Sequence, residues 1–290
     1  AAFFNNYTAK RAKKSDLENA PGRVKVKLKN MLIEQIKLHE NFGSAHLDAP
    51  RNVLVYLPPG YGANPDRRYP VLYMHDGQNL MNAGDAFGGV AWGVDETAQK
   101  LILAGEIEPL IIVGIYNAGA KRIDEYTPVK SDAGRMKGHG GKADFYGRMI
   151  IEELKPFIDR EYLTKPGREF TGVGGSSLGG LVSFHLGLKR PDVFSRVAVM
   201  SPAIWWANNQ IIRETAKIGE RLPLRIWLDI GKREGSRIKH QVRALKEILL
   251  ANGWQKGLDF AYLEIPEARH EEAAWAARFD LVLRFLYPVI

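Results

Sequence analysis

The sequence predicts one α/β domain: a mostly parallel central sheet with helices on both faces and antiparallel strands at its N-terminal edge. Three observations lead there. Short uninterrupted runs of valine, isoleucine and leucine alternate with helix-length segments, the pattern of parallel strands buried on both faces. The earliest strand candidates are more polar and alternate in hydropathy, which suits an antiparallel edge. Finally, no repeat and no low-complexity linker interrupts the 290 residues, so there is no place to divide the chain.

The elements follow in order. Residues 1–22 read as a basic arm and residues 23–290 as a single domain. Val24–Leu28 alternates with period two, as a half-buried strand should. Asn52–Leu57 is a second strand, stopped by Pro58-Pro59-Gly60. Pro70–Met74 and Leu110–Ile115 are apolar strands, and Ala143–Asp159 is an amphipathic helix. Phe170–Val173 is a strand that runs toward the helix Leu178–Leu188, which Pro191 ends. Arg196–Met200, Leu224–Ile230 and Phe260–Ile265 complete the strands, with helices at Ile238–Leu250 and Ala273–Leu286.

Composition narrows the function classes. Hydrophobic residues make up 45% and charged residues 26%, which is ordinary globular usage and unlike disordered, collagenous or coiled-coil chains. No apolar run approaches the ~18 residues of a membrane-spanning helix. The chain has no cysteine, so disulfides, thiolate zinc sites and a cysteine nucleophile are excluded. The net charge is +8, yet residues 1–30 hold eight lysines and arginines against Asp16 and Glu18. The remainder is nearly balanced, unlike the basic working face of a nucleic-acid binder. The arm is therefore read as solvated and not as a nucleic-acid or membrane tether. No secretory leader is visible. The expectation is a soluble protein, cytoplasmic or exported after loss of a leader, with its oligomeric state open.

Open α/β sheets place their chemistry at the carboxyl ends of the strands. There Gly175-Ser176-Ser177-Leu178-Gly179 forms G-x-S-x-G between an apolar strand and an apolar helix. That motif holds a serine on a strained strand-to-helix turn, with the helix N-terminus directed at any oxyanion formed on it. A nucleotide-binding glycine turn is the competing reading. It lacks support, because no acidic residue follows about 20 positions on and no GxxxxGK[ST] exists.

A serine hydroxyl needs a base, and the base needs a carboxylate that sets its tautomer. On this kind of sheet the chain order is serine, acid, histidine. Of the histidines after Ser177, His185 lies about 12 Å along the same helix and reads as packed or surface. His240 falls in a polar helical stretch. His270, in the loop past the last strand, is the expected base, and activity should rise with pH as it loses its proton. Glu234 is preferred as the acid over Asp229, because a loop residue beyond the strand can swing toward the histidine. Glu264, Glu267, Glu271 and Glu272 read as surface charges. The oxyanion hole is assigned to the backbone N–H groups of Leu178 and of Gln78 in the loop His75–Asn79. Asp76 in that loop is a candidate for substrate contact.

Several ordered blocks resemble one family. RNVLVYLPPGY, YPVLYMHDGQNL, VGIYNAGAKRIDEYTP, GGSSLGGLVSF, RPDVFSRVAVMSPAIWW and Ala268-Arg269-His270 are similar to the esterase D-like ("putative esterase") family, from about Arg51 to the C-terminus. Its members include enterochelin, feruloyl and acetylxylan esterases, S-formylglutathione hydrolase and the antigen 85 mycolyltransferases. The resemblance implies an α/β-hydrolase fold, a metal- and cofactor-free Ser177–Glu234–His270 triad, and backbone amides of Gln78 and Leu178. The family's usual glycines before the histidine are Ala268 and Arg269 here. Trp205 and Trp206 match an SP-x-WW segment and are read as a substrate wall or as loop packing. Arg122, Glu125 and Tyr126 match another block and are read as an internal ion pair in preference to a substrate contact. The expected function is a serine carboxylic-ester hydrolase acting on a small acyl ester, a hydroxycinnamoyl sugar ester or a catechol siderophore lactone. An acyltransferase and a non-catalytic binding protein on the same fold are the alternatives.

Overall fold

A computed structural model of the chain describes residues 35–289. The basic arm of residues 1–22 and the strand expected at Val24–Leu28 lie outside the described residues. Eight strands among those described form one sheet: β1 (Ile36–Phe42), β2 (Arg51–Tyr56), β3 (Val71–His75), β4 (Ile111–Ile115), β5 (Thr171–Ser176), β6 (Arg196–Met200), β7 (Arg225–Gly231) and β8 (Phe260–Ile265). Their order is β1-β2-β4-β3-β5-β6-β7-β8. The β1–β2 and β2–β4 pairs are antiparallel and every other pair is parallel. The antiparallel edge is therefore where the polar strands were expected. Its outer strand, however, is IKLHENF at Ile36–Phe42, where a register shift between His39 and Phe42 breaks the period of two.

Helices cover both faces, as short apolar strands demand. On one face Val55, Tyr73, Val113 and Val173 pack against Tyr146, Met149, Leu181, Phe184 and Val242. On the other, Leu72, Met74, Ile112 and Trp227 pack against Val94, Leu101, Phe279 and Leu283. The helix Val94–Leu103 was not expected from the sequence, nor was Trp206–Ile218. The first of these opens with Asp95 and Glu96 in its first turn, where the helix dipole favours negative charge.

Two expected helices are interrupted, each for a visible reason. Ala143–Asp159 is split by a π-helical stretch, Met149–Leu154. Pro156 just beyond it has no N–H with which to continue the ladder. Ala273–Leu286 is two helices, Glu272–Ala276 and Phe279–Leu286, with Arg278 between them at φ −126 and ψ 4. That break lets the buried Arg278 side chain reach Asp229 on β7, at 2.8 Å. Among the described residues no helix is long and apolar enough to cross a membrane.

Candidate active site

The central parallel strands end in one cleft, and β5 supplies its serine. Ser177 takes φ 57 and ψ −122, a region that non-glycine residues avoid, between the strand and the helix Leu178–Lys189. The flanking glycines are needed because the helix start lies against backbone. A Cβ on Gly175 would come within 3.0 Å of the Gly179 carbonyl carbon, and one on Gly180 within 2.9 Å of the Met200 oxygen. Three backbone hydrogen bonds hold the strained residue: the Ser177 amide donates to Met200, and its carbonyl accepts from Leu181 and Ala203.

The histidine comes from the loop after β8. His270 Nε2 lies 2.9 Å from Ser177 Oγ, and its Nδ1 lies 2.7 Å from Glu234 Oε2. The Trp275 ring packs edge-on against the imidazole, with centroids 4.9 Å apart. The two loops that carry Glu234 and His270 are laced together. The Lys232 amide donates to Ile265 and the Arg233 amide to Ala268. Gly231 is required there because a Cβ would strike the Ala268 carbonyl.

Both sequence candidates for the acid sit in one buried network, and only Glu234 faces the histidine. Its other oxygen, Oε1, accepts from Ser201 Oγ at 2.6 Å and from the Gly231 amide at 2.8 Å. Ser201 Oγ in turn accepts from Arg278 at 2.7 Å. Asp229 is fully buried and takes hydrogen bonds from Arg278, the Trp227 indole and the Ser201 amide. It therefore reaches Glu234 only through Arg278 and Ser201, and the alternative of Asp229 as the histidine's partner is corrected. Burial alone would push the Glu234 carboxyl up, but the hydrogen bonds from His270, Ser201 and Gly231 outweigh it and hold its pKa below the ordinary glutamate value.

The loop after β3 closes the other side. Asp76 adopts a left-handed conformation, φ 56, ahead of the tight turn Gly77–Asn79. The turn's hydrogen bonds run from the Asn79 and Leu80 amides, leaving the Gln78 amide outside them. Leu178 opens its helix, so its amide has no intrahelical acceptor. Gln78 and Ser177 line the same cleft. Gly77 presses on β4 so closely that a Cβ would stand 2.5 Å from the Gly114 carbonyl carbon.

Asp76 also lines the cleft, but its carboxylate is already engaged. Arg122 reaches it with Nε at 2.7 Å and a terminal nitrogen at 2.8 Å, and the Asn117 amide donates at 2.7 Å. Arg122 and Asn117 thus engage both carboxylate oxygens of the Asp76 named as a candidate for substrate contact, and tie the β3 loop to the segment after β4. Glu125 pairs with Arg51 in the interior at 2.8 Å, so the Arg122–Tyr126 block holds internal ion pairs, as expected. Of the two readings for Trp205 and Trp206, Trp206 takes loop packing, buried with its indole N–H donated to the Val129 carbonyl at 2.8 Å, while Trp205 stays exposed outside the residues that line the cleft. His185 is packed against Asp144 and His240 is exposed. His75 lies beside the helix start, but burial pushes its imidazole down to about 3, and Tyr146 holds its Nδ1 at 2.9 Å.

The cleft measures about 630 Å³ and includes residues that the sequence did not single out: Phe87, Val90, Asn117 and Trp275. Glu272, read as a surface charge, is half-buried in its wall. Its position two residues after the histidine was the available signal. Among the described residues no cluster of side chains could hold a metal ion.

Comparison with known proteins shows the family and the fold. A family model described as "Putative esterase" matches residues 44–286. The uncharacterized protein YbbA of Bacillus subtilis (strain 168) is 27% identical over 256 residues, covering 84% of this chain and 95% of the relative. The ferri-bacillibactin esterase BesA of the same organism is 31% identical over 206 residues, covering 64% of this chain and 68% of the relative. The solved structure of the BES protein from Bacillus cereus is alike in fold, with a TM-score of 0.69 at 22% identity over 88% of this chain and 95% of that one.

Proposed function

The chain belongs to the putative-esterase family and is a carboxylic-ester hydrolase, and we propose that it cleaves esters through an acyl-enzyme on Ser177. The observation that carries this reading is the continuous hydrogen-bonded line Ser177–His270–Glu234, with steps of 2.9 and 2.7 Å. Ser177 Oγ attacks the ester carbonyl while His270 Nε2 takes its proton. Glu234, ionised and fixed by three donors, keeps the other proton on Nδ1 and stabilises the imidazolium. The amides of Leu178 and Gln78 hold the oxyanion, which is the charge that develops only in the transition state. His270 then protonates the departing alcohol, and the acyl group stays on Ser177. A water molecule, deprotonated by His270, attacks the acyl-enzyme and releases the acid and the free serine.

The acyl and alcohol parts would lie in the 630 Å³ cleft, a volume in the usual range for a small organic ligand. The relatives' names make a siderophore ester one candidate, beside small acyl esters and hydroxycinnamoyl sugar esters. Ser177→Ala is the test. It should lose both ester turnover and labelling by a fluorophosphonate probe, with the fold intact by circular dichroism. Retained turnover above a mock preparation would refute the reading, and product analysis with an added acceptor alcohol would expose acyl transfer in place of hydrolysis.

A further inference from the structure

The charged groups around the serine do not balance. Besides His270, the charged residues lining the cleft are Asp76, Arg122, Glu271 and Glu272. Arg122 and Asp76 neutralise each other through a two-point contact at 2.7 and 2.8 Å. That leaves Glu271 and Glu272 without a cation: no lysine, and no arginine other than Arg122, lines the cleft among the described residues. Glu272 is held in place by neutral donors, the Trp92 indole N–H and the Asn79 side-chain amide at 3.1 Å. These fix its direction without cancelling its charge. The acidic cleft is a local feature, because the chain as a whole carries a net charge of +8.

We propose that Glu272 determines specificity by charge, so that the cleft accepts neutral and cationic esters and rejects anionic ones. This rests on the serine-esterase reading above and sharpens it. An anionic group in the cleft would face Glu271 and Glu272 across a partly desolvated space, with the one nearby guanidinium already committed to Asp76. Hydroxyl groups, by contrast, could donate to the Glu272 carboxylate, and a cation would pair with it. Phe87, 80% exposed at the rim, and the buried Trp275 behind the histidine add apolar surface for an uncharged acyl or aryl group. Of the ester classes considered, neutral acyl and sugar esters fit this cleft, and a siderophore ester fits it only in an uncharged form.

The test uses three para-substituted phenyl acetates at pH 8: the neutral sulfonamide, the anionic sulfonate and the cationic trimethylammonium ester. The readout is the ratio of kcat/KM values within each protein, so intrinsic reactivity and any common loss of turnover cancel between wild type and Glu272→Gln. One charge removed roughly 8 Å from the substituent, at an effective dielectric of about 30, corresponds to about tenfold. The neutral-to-anionic ratio should therefore fall about tenfold in Glu272→Gln, and the cationic-to-neutral ratio should fall with it. In the wild-type chain, raising salt from about 0.05 to about 0.5 M should lift the anionic ester relative to the neutral one about two- to threefold, because screening weakens the repulsion. Unchanged ratios in a folded Glu272→Gln overturn the proposal. If that variant does not fold, a salt-independent ratio in the wild type overturns it alone. A wild-type chain that hydrolyses none of the three esters and resists the fluorophosphonate defeats the esterase reading itself, and this proposal with it.

Discussion

Replacing Glu234 by glutamine tests the site more sharply than deleting the residue, because the surroundings dictate how the amide must lie. Ser201 Oγ has one proton. Since it already accepts from Arg278, which can only donate, that proton goes to Glu234 Oε1. The Gly231 amide donates to the same oxygen. The glutamine must therefore keep its carbonyl oxygen at the Oε1 position and turn its NH₂ group toward His270 Nδ1. Faced with a donor, Nδ1 must give up its proton and Nε2 must carry it. The nitrogen 2.9 Å from Ser177 Oγ then presents a proton where the serine needs an acceptor. The comparable wrong-tautomer substitution in a serine protease lowers kcat by about 10⁴, so a loss of about 10³ to 10⁴ is expected here, or about 4 to 5.5 kcal/mol of transition-state stabilisation. KM should change little. The assay is kcat on a chromogenic acetate ester per fluorophosphonate-titrated site, with folding checked by thermal melting. A kcat within tenfold of wild type would refute this reasoning.

Other outcomes follow from neighbouring features. Arg278→Met leaves Asp229 buried without its cation and should cost about 3 to 5 kcal/mol of stability, read by denaturant unfolding. Gly77→Ala puts a Cβ 2.5 to 2.7 Å from backbone atoms of Gly114 and Ile115. It should cost roughly 1 to 3 kcal/mol and, by displacing the Gln78 amide, lower kcat by up to about 10². The carboxyls of Glu234 and Glu272 should show opposite pH signatures. Glu234, held below its ordinary value of 4.5, stabilises the fold above that pH and loses the contribution as pH falls through its lower folded value. Glu272 is raised above 4.5 by burial, so its penalty appears as pH rises through its folded value. Measured against wild type, Glu234→Gln should be less sensitive to acid below pH 4.5, and Glu272→Gln should gain stability at pH 7 relative to pH 4.

The serine and histidine were legible because their signals are local or ordered. Gly175-x-Ser177-x-Gly179 is a contiguous steric requirement, and chain order left His270 as the histidine beyond the last strand. The acid was ambiguous for a physical reason. Asp229 and Glu234 both leave the end of β7, and spacing cannot show that Arg278, brought back by a helix break, claims Asp229. The tryptophan pair stayed open between wall and packing because adjacency in sequence says nothing about which side of a loop faces the cleft. Trp206 turns inward to the Val129 carbonyl. Edge strand β1 escaped because its pattern slips out of period at the irregularity between His39 and Phe42. Glu272 looked like solvent-facing charge because its partners, Trp92 and Asn79, lie some 180 and 193 positions away.

The order in which these groups leave the ribosome follows from their places along the chain. A nascent chain that has emerged only as far as β7 exposes the serine, its strained turn and the β3 loop, while His270 and Arg278 have yet to emerge. Translation of the loop after β8 and of the two helices beyond it then delivers His270 and the Arg278 guanidinium that engages Ser201 and Asp229. Until then the growing polypeptide holds a strained turn whose serine hydroxyl has no imidazole beside it.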